Sequence, residues 1–273
     1  MIDPDAFNAF EAAGWEAKAA GYDRFFGAIT GRVIEQLLDA ARVGSGSRVL
    51  DIATGPGYVA AAAARRGASV LGLDISSAMV ALASKLHPEI EFRQGDVHAL
   101  ALDDGSFDAV VGNFLVLHLG RPERGASELA RVLAPGGSLA LTVWGVPERA
   151  RLFDLFLGAV ADAGAAAPAS IPVGPDFFRF SHDDEFDGLL GGAGLEDRHV
   201  QTIAFEHDVA TPDELWEGML GGTVRTSVLI LEQDEATQDR IRQAFRRRAH
   251  EYDHEYGLAI PISVKLASGR RSG

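Results

Sequence analysis

VLDIATGPGYVA, residues Val49–Ala60, sets an apolar strand, a glycine turn and the start of a helix in immediate succession. Val49, Leu50 and Ile52 surround a single acid, Asp51, before the chain enters Thr54-Gly55-Pro56-Gly57. The alanine-rich run from Val59 to Arg66 then closes at Gly67, a natural helix C-cap. Glycine allows a sharp turn and close approach of a ligand to the backbone. The helix beginning just beyond offers free N–H groups and a partial positive charge to a bound anion. A nucleotide-like cofactor is the first ligand to expect there. Gly55-x-Gly57-x-x-Ala60, with Asp74 downstream, also fits a dinucleotide fingerprint. The same spacing serves S-adenosylmethionine, so the loop alone does not choose.

Working outward, strands and helices alternate. Ala68–Asp74 (ASVLGLD) is an apolar run ending in an acid; Ser76 or Ser77 caps the next helix, which Pro88 stops. Ile90–Gln94 is a third strand, and Ala109–Val111 the apolar centre of a fourth. A helix from about Pro122 places Ala126, Leu129, Ala130 and Leu133 on one face and ends at Pro135-Gly136-Gly137, before a fifth strand over Ser138–Trp144. This alternation predicts an α/β fold with a doubly wound, mostly parallel seven-stranded sheet, its ligand at the strand C-terminal ends. The whole chain reads as one domain: N-terminal helices over 1–43, a cofactor-binding core over 44–145, and the remaining strands with a helical insertion over 146–273. Gly14, Gly21, Gly27 and Gly31 predict several short N-terminal helices. Arg151–Ala163 reads as a helix, 165–175 as a loop and Leu195–Phe205 as a sixth strand. Thr211-Pro212-Asp213-Glu214 starts a helix, Glu235–His254 reads as a long charged helix and Leu258–Leu266 as the last strand. Two inserted helices are thus expected before that strand.

The chain has 273 residues, a formal net charge of −14 and no cysteine. Disulfides, thiol nucleophiles and cysteine metal sites are excluded. So acidic a balance lacks the electrostatic footprint of a nucleic-acid binder and gives no attraction to an anionic membrane. With neither a basic-then-apolar leader nor an apolar run of membrane-spanning length, the cytoplasm is the expected compartment. His250-Glu251-Tyr252-Asp253-His254 matches H-E-x-x-H, which would put two histidines on one helix face. A catalytic zinc needs a third ligand, and no His, Asp or Glu follows Glu255. The expectation is a solvated helix end and no metal. Arg246-Arg247-Arg248 is too short to overturn the acidic balance and is expected to pair with nearby acids.

Five stretches taken together resemble the class I S-adenosylmethionine-dependent methyltransferases, in particular the small-molecule branch that includes ubiquinone and menaquinone C-methyltransferases. VLDIATGPG resembles the first motif of that family and Leu71–Ser76 (LGLDIS) the second. Gln94-Gly95-Asp96-Val97 resembles the acidic turn after strand three; DGSFDAVVGNFLVLHL and RVLAPGGSLALTVW resemble the fourth- and fifth-strand motifs. The match covers about Arg48–Trp144, and Ala53-Thr54-Gly55-Pro56-Gly57 departs from the commoner GCGTG loop. The resemblance implies S-adenosyl-L-methionine as cofactor and methyl transfer to a small-molecule acceptor. It implies that Asp74 takes the ribose hydroxyls, that Asp96 takes the adenine amino group with the Val97 N–H beside the ring, and that Ile75 and Met79 sandwich the adenine. Ala53, Thr54, Gly55 and Gly57 would pack on the methionyl part, with Asp51 binding or ordering that region and Asn113 at the methionyl end. His118 and Tyr22 are the candidates for the cofactor shell and for a general base, Tyr22 chiefly as a lid contact. Trp15, Phe25, Phe177, Phe178, Phe180, Trp216 and Met219 are available as acceptor-pocket walls, which suggests an apolar or aromatic metabolite, in secondary metabolism for instance. A nicotinamide-dependent dehydrogenase and a cofactor-holding protein without methyl transfer are the alternatives. A homodimer through the inserted helices stays open.

Overall fold

The structure is a computed structural model that describes residues 2–273. The elements in chain order are α1 (Pro4–Thr30), α2 (Ile34–Ala40), β1 (Arg48–Ile52), α3 (Tyr58–Arg65), β2 (Ser69–Asp74), α4 (Ser77–Leu86), β3 (Glu91–Gln94), β4 (Phe107–Gly112), α5 (Pro122–Val132) and β5 (Leu133–Trp144). They continue as α6 (Arg151–Asp162), α7 (Asp183–Gly192), β6 (Leu195–Val209), α8 (Pro212–Gly222), α9 (Arg225–Leu231), α10 (Glu235–Ala249), β7 (Asp253–His254) and β8 (Gly257–Arg271). The sheet order is β3-β2-β1-β4-β5-β8-β6, with the two-residue β7 pairing β8 off this path. β1 to β5 are parallel, and β8 runs antiparallel to both β5 and β6. Apolar strands such as β1 and β4, almost wholly buried, are what a sheet covered on both faces requires. The order reverses between β1 and β4, which opens a crevice at their C-terminal ends.

Local chemistry fixes the helix starts. Ser76 accepts from the Met79 N–H at 3.1 Å to open α4, and Thr211 accepts from the Glu214 N–H at 3.0 Å to open α8, with Pro212 at its first position. Four expectations are corrected. The N-terminal region is one 27-residue helix, α1, followed by a short 3-10 turn and α2, rather than several short helices. Its glycines are contact points: a Cβ on Gly21 would lie 2.0 Å from the Gly221 carbonyl oxygen of α8, and one on Gly14 would lie 2.2 Å from Val224. Pro135-Gly136-Gly137 does not end a helix; α5 stops at Val132, and these residues form a bulge within β5 where the register to β4 shifts. Three helices rather than two, α8, α9 and α10, lie between β6 and β8, and α7, opened by Asp183, Asp184 and Glu185, was not expected. The long charged helix ends at Ala249. His250 then lies in a 3-10 turn and His254 in β7, so the H-E-x-x-H residues share no helix face. Among the described residues no group of three or more His, Asp or Glu is placed to hold a metal. No described helix is long and apolar enough to cross a membrane. Arg246 pairs with Asp213 at 2.9 Å and Arg248 with Asp162 at 2.8 Å, as the acidic surroundings implied.

Candidate active site

The glycine loop is shaped by two buried acids. Asp51, at the end of β1, accepts from the Thr54 hydroxyl at 2.6 Å and from the Ala60 N–H at 3.0 Å, tying the loop to the start of α3. Asp74, ending β2, accepts from the Gly55 N–H at 2.9 Å and the Ser76 N–H at 3.0 Å. Burial pushes the Asp51 carboxyl up to about 7, with Asp74 adding to the rise; burial also raises Asp74, against three backbone N–H bonds that lower it. Gly55 has φ +53°, and a Cβ there would meet no protein atom within 4 Å. Gly57 has φ +83°, and a Cβ there would come 2.8 Å from the Phe92 ring. The two glycines therefore serve differently: Gly55 leaves room for a ligand, and Gly57 leaves room for β3.

A cavity runs from this loop along the strand ends. Of the residues singled out in the sequence, Tyr22, Ala53, Gly55, Asp74, Ile75, Met79, Asp96, Val97, Asn113 and His118 line it. Asp51, Thr54 and Gly57 do not; they stand behind the loop and hold its shape. Asp96 bonds the His98 N–H with one oxygen, at 2.9 Å, and no described residue bonds the other. Asn113 is a strut: its amide donates to the Thr30 carbonyl at 3.1 Å and accepts from the Thr142 hydroxyl at 2.6 Å. Tyr22 stacks on Phe26 with ring centroids 5.6 Å apart, and burial raises its phenol to about 12. At neutral pH it is a hydrogen-bond donor rather than a base.

α1 roofs this cavity. Glu16 accepts from the hydroxyls of Ser76 and Ser77 at 2.8 and 2.7 Å and from the Ala78 N–H at 3.1 Å, so a carboxylate closes the start of α4 beside Asp74. Asn8 accepts from the Gly120 N–H at 2.7 Å. Toward the far end the lining becomes aromatic, with Trp15, Trp144, Phe153 and Phe177; Phe153 lies 5.1 Å from Trp144 and 5.0 Å from Phe177 between ring centroids.

Of the expected acceptor walls only Trp15 and Phe177 line the cavity. Trp216 packs on Phe156 and Phe245, Met219 is fully buried, Phe25 fills the notch at Gly218, and Phe178 and Phe180 pack behind Phe177 and on Phe186. Glu11, Trp144, Phe153, Arg225 and Thr226 were missed. Glu11 left a trace: it is an acid on the otherwise apolar stripe Phe7, Trp15, Tyr22, Phe26. Nothing local marks Arg225.

The residues fit S-adenosylmethionine. A buried carboxylate, Asp74, faces the cavity beside a loop in which a Cβ on Gly55 would meet no protein atom within 4 Å, and the apolar side chains of Ile75, Met79 and Val97 line the same cavity as Asp96. Comparison with known proteins agrees. A methyltransferase-domain family matches residues 50–141. A demethylmenaquinone methyltransferase of Beutenbergia cavernae is 36% identical over 173 residues, 62% of this chain and 72% of that protein. One from Paenarthrobacter aurescens is 30% identical over 204 residues, 70% and 81% of the two chains. The YcgJ protein of Bacillus subtilis shares the fold, with a TM-score of 0.57 at 20% identity, covering 89% of this chain and 99% of that one. These matches favour methyl transfer over the nicotinamide reading. The chain belongs to the class I methyltransferases that use S-adenosylmethionine to methylate small molecules.

Proposed function

We propose that the acceptor is a small apolar or aromatic molecule held in the chamber of Trp15, Trp144, Phe153 and Phe177. The observation that carries this reading is the continuity of one cavity from Asp74 and Asp96 to those four rings. The names of the two curated relatives, which place a quinone among the acceptors of such proteins, support it. At the acidic end Asp74 takes the ribose hydroxyls, since an ionised carboxylate makes strong charge-assisted bonds to them. Asp96 takes the adenine amino group through its unengaged oxygen, and Ile75, Met79 and Val97 flank the ring. Ala53 and Gly55 pack on the methionyl portion, and Tyr22 and Asn113 border the passage between the two ends. Bound S-adenosylmethionine supplies an electrophilic methyl group on a sulfonium. The chain's own part is to align the acceptor and to keep water out, which α1 and the aromatic rings do. With a net charge of −14 the surface has no footprint for nucleic acid, and we place the enzyme in the cytoplasm.

Calorimetric titration with S-adenosylhomocysteine tests the cofactor end. Asp74→Ala should weaken binding about 100-fold, the loss of two hydrogen bonds to a charged group. Unchanged affinity would remove Asp74 from the site. At the other end, candidate aromatic acceptors are incubated with S-adenosylmethionine and products read by mass spectrometry. Phe153→Ala should raise the acceptor KM and leave S-adenosylhomocysteine affinity unaltered.

A further inference from the structure

Three polar side chains from distant parts of the chain meet at the aromatic end of the cavity. Glu11 comes from α1, His118 from the turn after β4, and Arg225 from the first position of α9. Glu11 is 3% exposed. Its Oε2 lies 2.9 Å from His118 Nδ1, and its Oε1 lies 2.9 Å from Arg225 Nε. Arg225 also donates to the Leu117 carbonyl at 2.8 Å and lies over the rings of Phe177 and Phe7, at 4.6 and 5.2 Å. The Trp15 ring stands edge-on to His118 at 5.0 Å. The Asp176 carboxylate also bears on Arg225. Burial pushes the Glu11 carboxyl up, while the hydrogen bond from His118 and the Arg225 guanidinium pull it down. A buried charge left unpaired would cost several kcal/mol, so this cluster is held as a unit.

An ionised carboxylate only accepts hydrogen bonds. A neutral imidazole bound to it through Nδ1 must carry its proton there, which leaves Nε2 a bare lone pair. No described residue hydrogen-bonds Nε2, and His118 lines the cavity. The Arg225 guanidinium nearby favours an oxyanion and disfavours an ammonium.

We propose that His118 Nε2 is the general base, that Glu11 is its positioning residue, and that the acceptor is an aromatic alcohol methylated on oxygen. This rests on the methyl-transfer reading above. The hydroxyl proton passes to Nε2 while an oxygen electron pair forms the bond to the methyl carbon. The pair of the broken carbon–sulfur bond stays on sulfur. The products are the aryl methyl ether, S-adenosylhomocysteine and an imidazolium, which returns its proton to water. Atoms and charge balance with no further reactant.

The test uses 4-nitrophenol, whose ionisation is read by its colour, added to the full-length protein saturated with S-adenosylhomocysteine. In the wild type, bound nitrophenol should ionise at lower pH than free, by about one unit, a tenfold shift in the ratio of its forms. His118→Ala should abolish the displacement, and Glu11→Gln, which keeps the shape but not the charge, should shrink it. On the protein alone, ¹⁵N-histidine NMR should find the His118 proton on Nδ1, and a mixture of tautomers in Glu11→Ala. Retained S-adenosylhomocysteine affinity certifies that each variant is folded. Absence of nitrophenol binding, an unshifted titration in the wild type, or a displacement surviving His118→Ala overturns the proposal. If S-adenosylhomocysteine binds and the phenol is unshifted, the methyl-transfer reading stands and this one falls; if S-adenosylhomocysteine fails to bind, the cofactor reading falls with it.

Discussion

Asp51, one residue before the last of β1, and Asp74, the last of β2, bring the same residue type to the ends of adjacent strands, yet the structure gives them different tasks. Asp74 faces the cavity; Asp51 turns its carboxyl toward Thr54 and the first turn of α3 and never reaches it. The difference has a pH signature. With its folded midpoint at about 7 against the ordinary 3.8, Asp51 keeps its proton in the native state over a window where the unfolded chain has released it. The stability it confers is whole below about pH 4 and is lost as pH rises toward 7, at ~1.4 kcal/mol per unit and ~4 kcal/mol in all. Asp51→Asn keeps an acceptor for the Ala60 N–H and removes the titration. Urea unfolding at several pH values should therefore show the variant gaining on the wild type between pH 4 and 7, with a constant difference above. A constant difference throughout would mean that Asp51 does not hold a proton in the fold. The sequence made both acids visible, Asp51 as the one acid among the apolar residues of VLDI and Asp74 as the acid ending an apolar run. Their division of labour depends on side-chain direction, which no spacing encodes. Glu11 and Arg225 were harder still, because what makes them significant is each other, 214 positions apart in the chain.

Elements were legible where the signal was local. Strands buried on both faces read as short apolar runs, and the caps at Ser76 and Thr211 stood in the sequence with their partners three residues on. Glycine misled wherever its purpose was long-range. In α1 the missing side chains serve α8: Gly21 faces the Gly221 carbonyl, and Gly218 and Gly222 receive Phe25 and Phe26. Helix propensity alone says that replacing a helical glycine by alanine stabilises by up to about 1 kcal/mol. Here the sign depends on position. Gly21→Ala should destabilise by about 2 kcal/mol or more, because the new methyl meets backbone that cannot yield. Gly31→Ala, at φ −65° with nothing within 4 Å of its Cβ, should be neutral or slightly stabilising. Thermal unfolding of the pair is the check, and equal effects would refute the seam. The same long-range logic explains β5, where a turn-like Pro-Gly-Gly is absorbed as a bulge because β4 remains paired on both sides of it.

At the scale of the whole molecule the N-terminal helix is as much a part of the site as the glycine loop. Glu16 holds it to the start of α4 next to Asp74, and Glu11 carries it to His118. Ligand binding and folding are therefore linked. S-adenosylhomocysteine at a hundred times its Kd should add about 2.7 kcal/mol to the free energy of unfolding, and α1 amides should share in the added hydrogen-exchange protection. Protection confined to β1, β2 and α4 would detach the roof from the cofactor. The seam between α1 and α8 carries this further. Trp15 and Tyr22 of the first helix and Gly222 at the end of the eighth all line the cavity, and the two helices meet backbone to backbone at Gly21 and Gly221. Parting that seam would loosen the cover over the whole cavity, so the entry and exit of cofactor and acceptor are expected to be coupled through it.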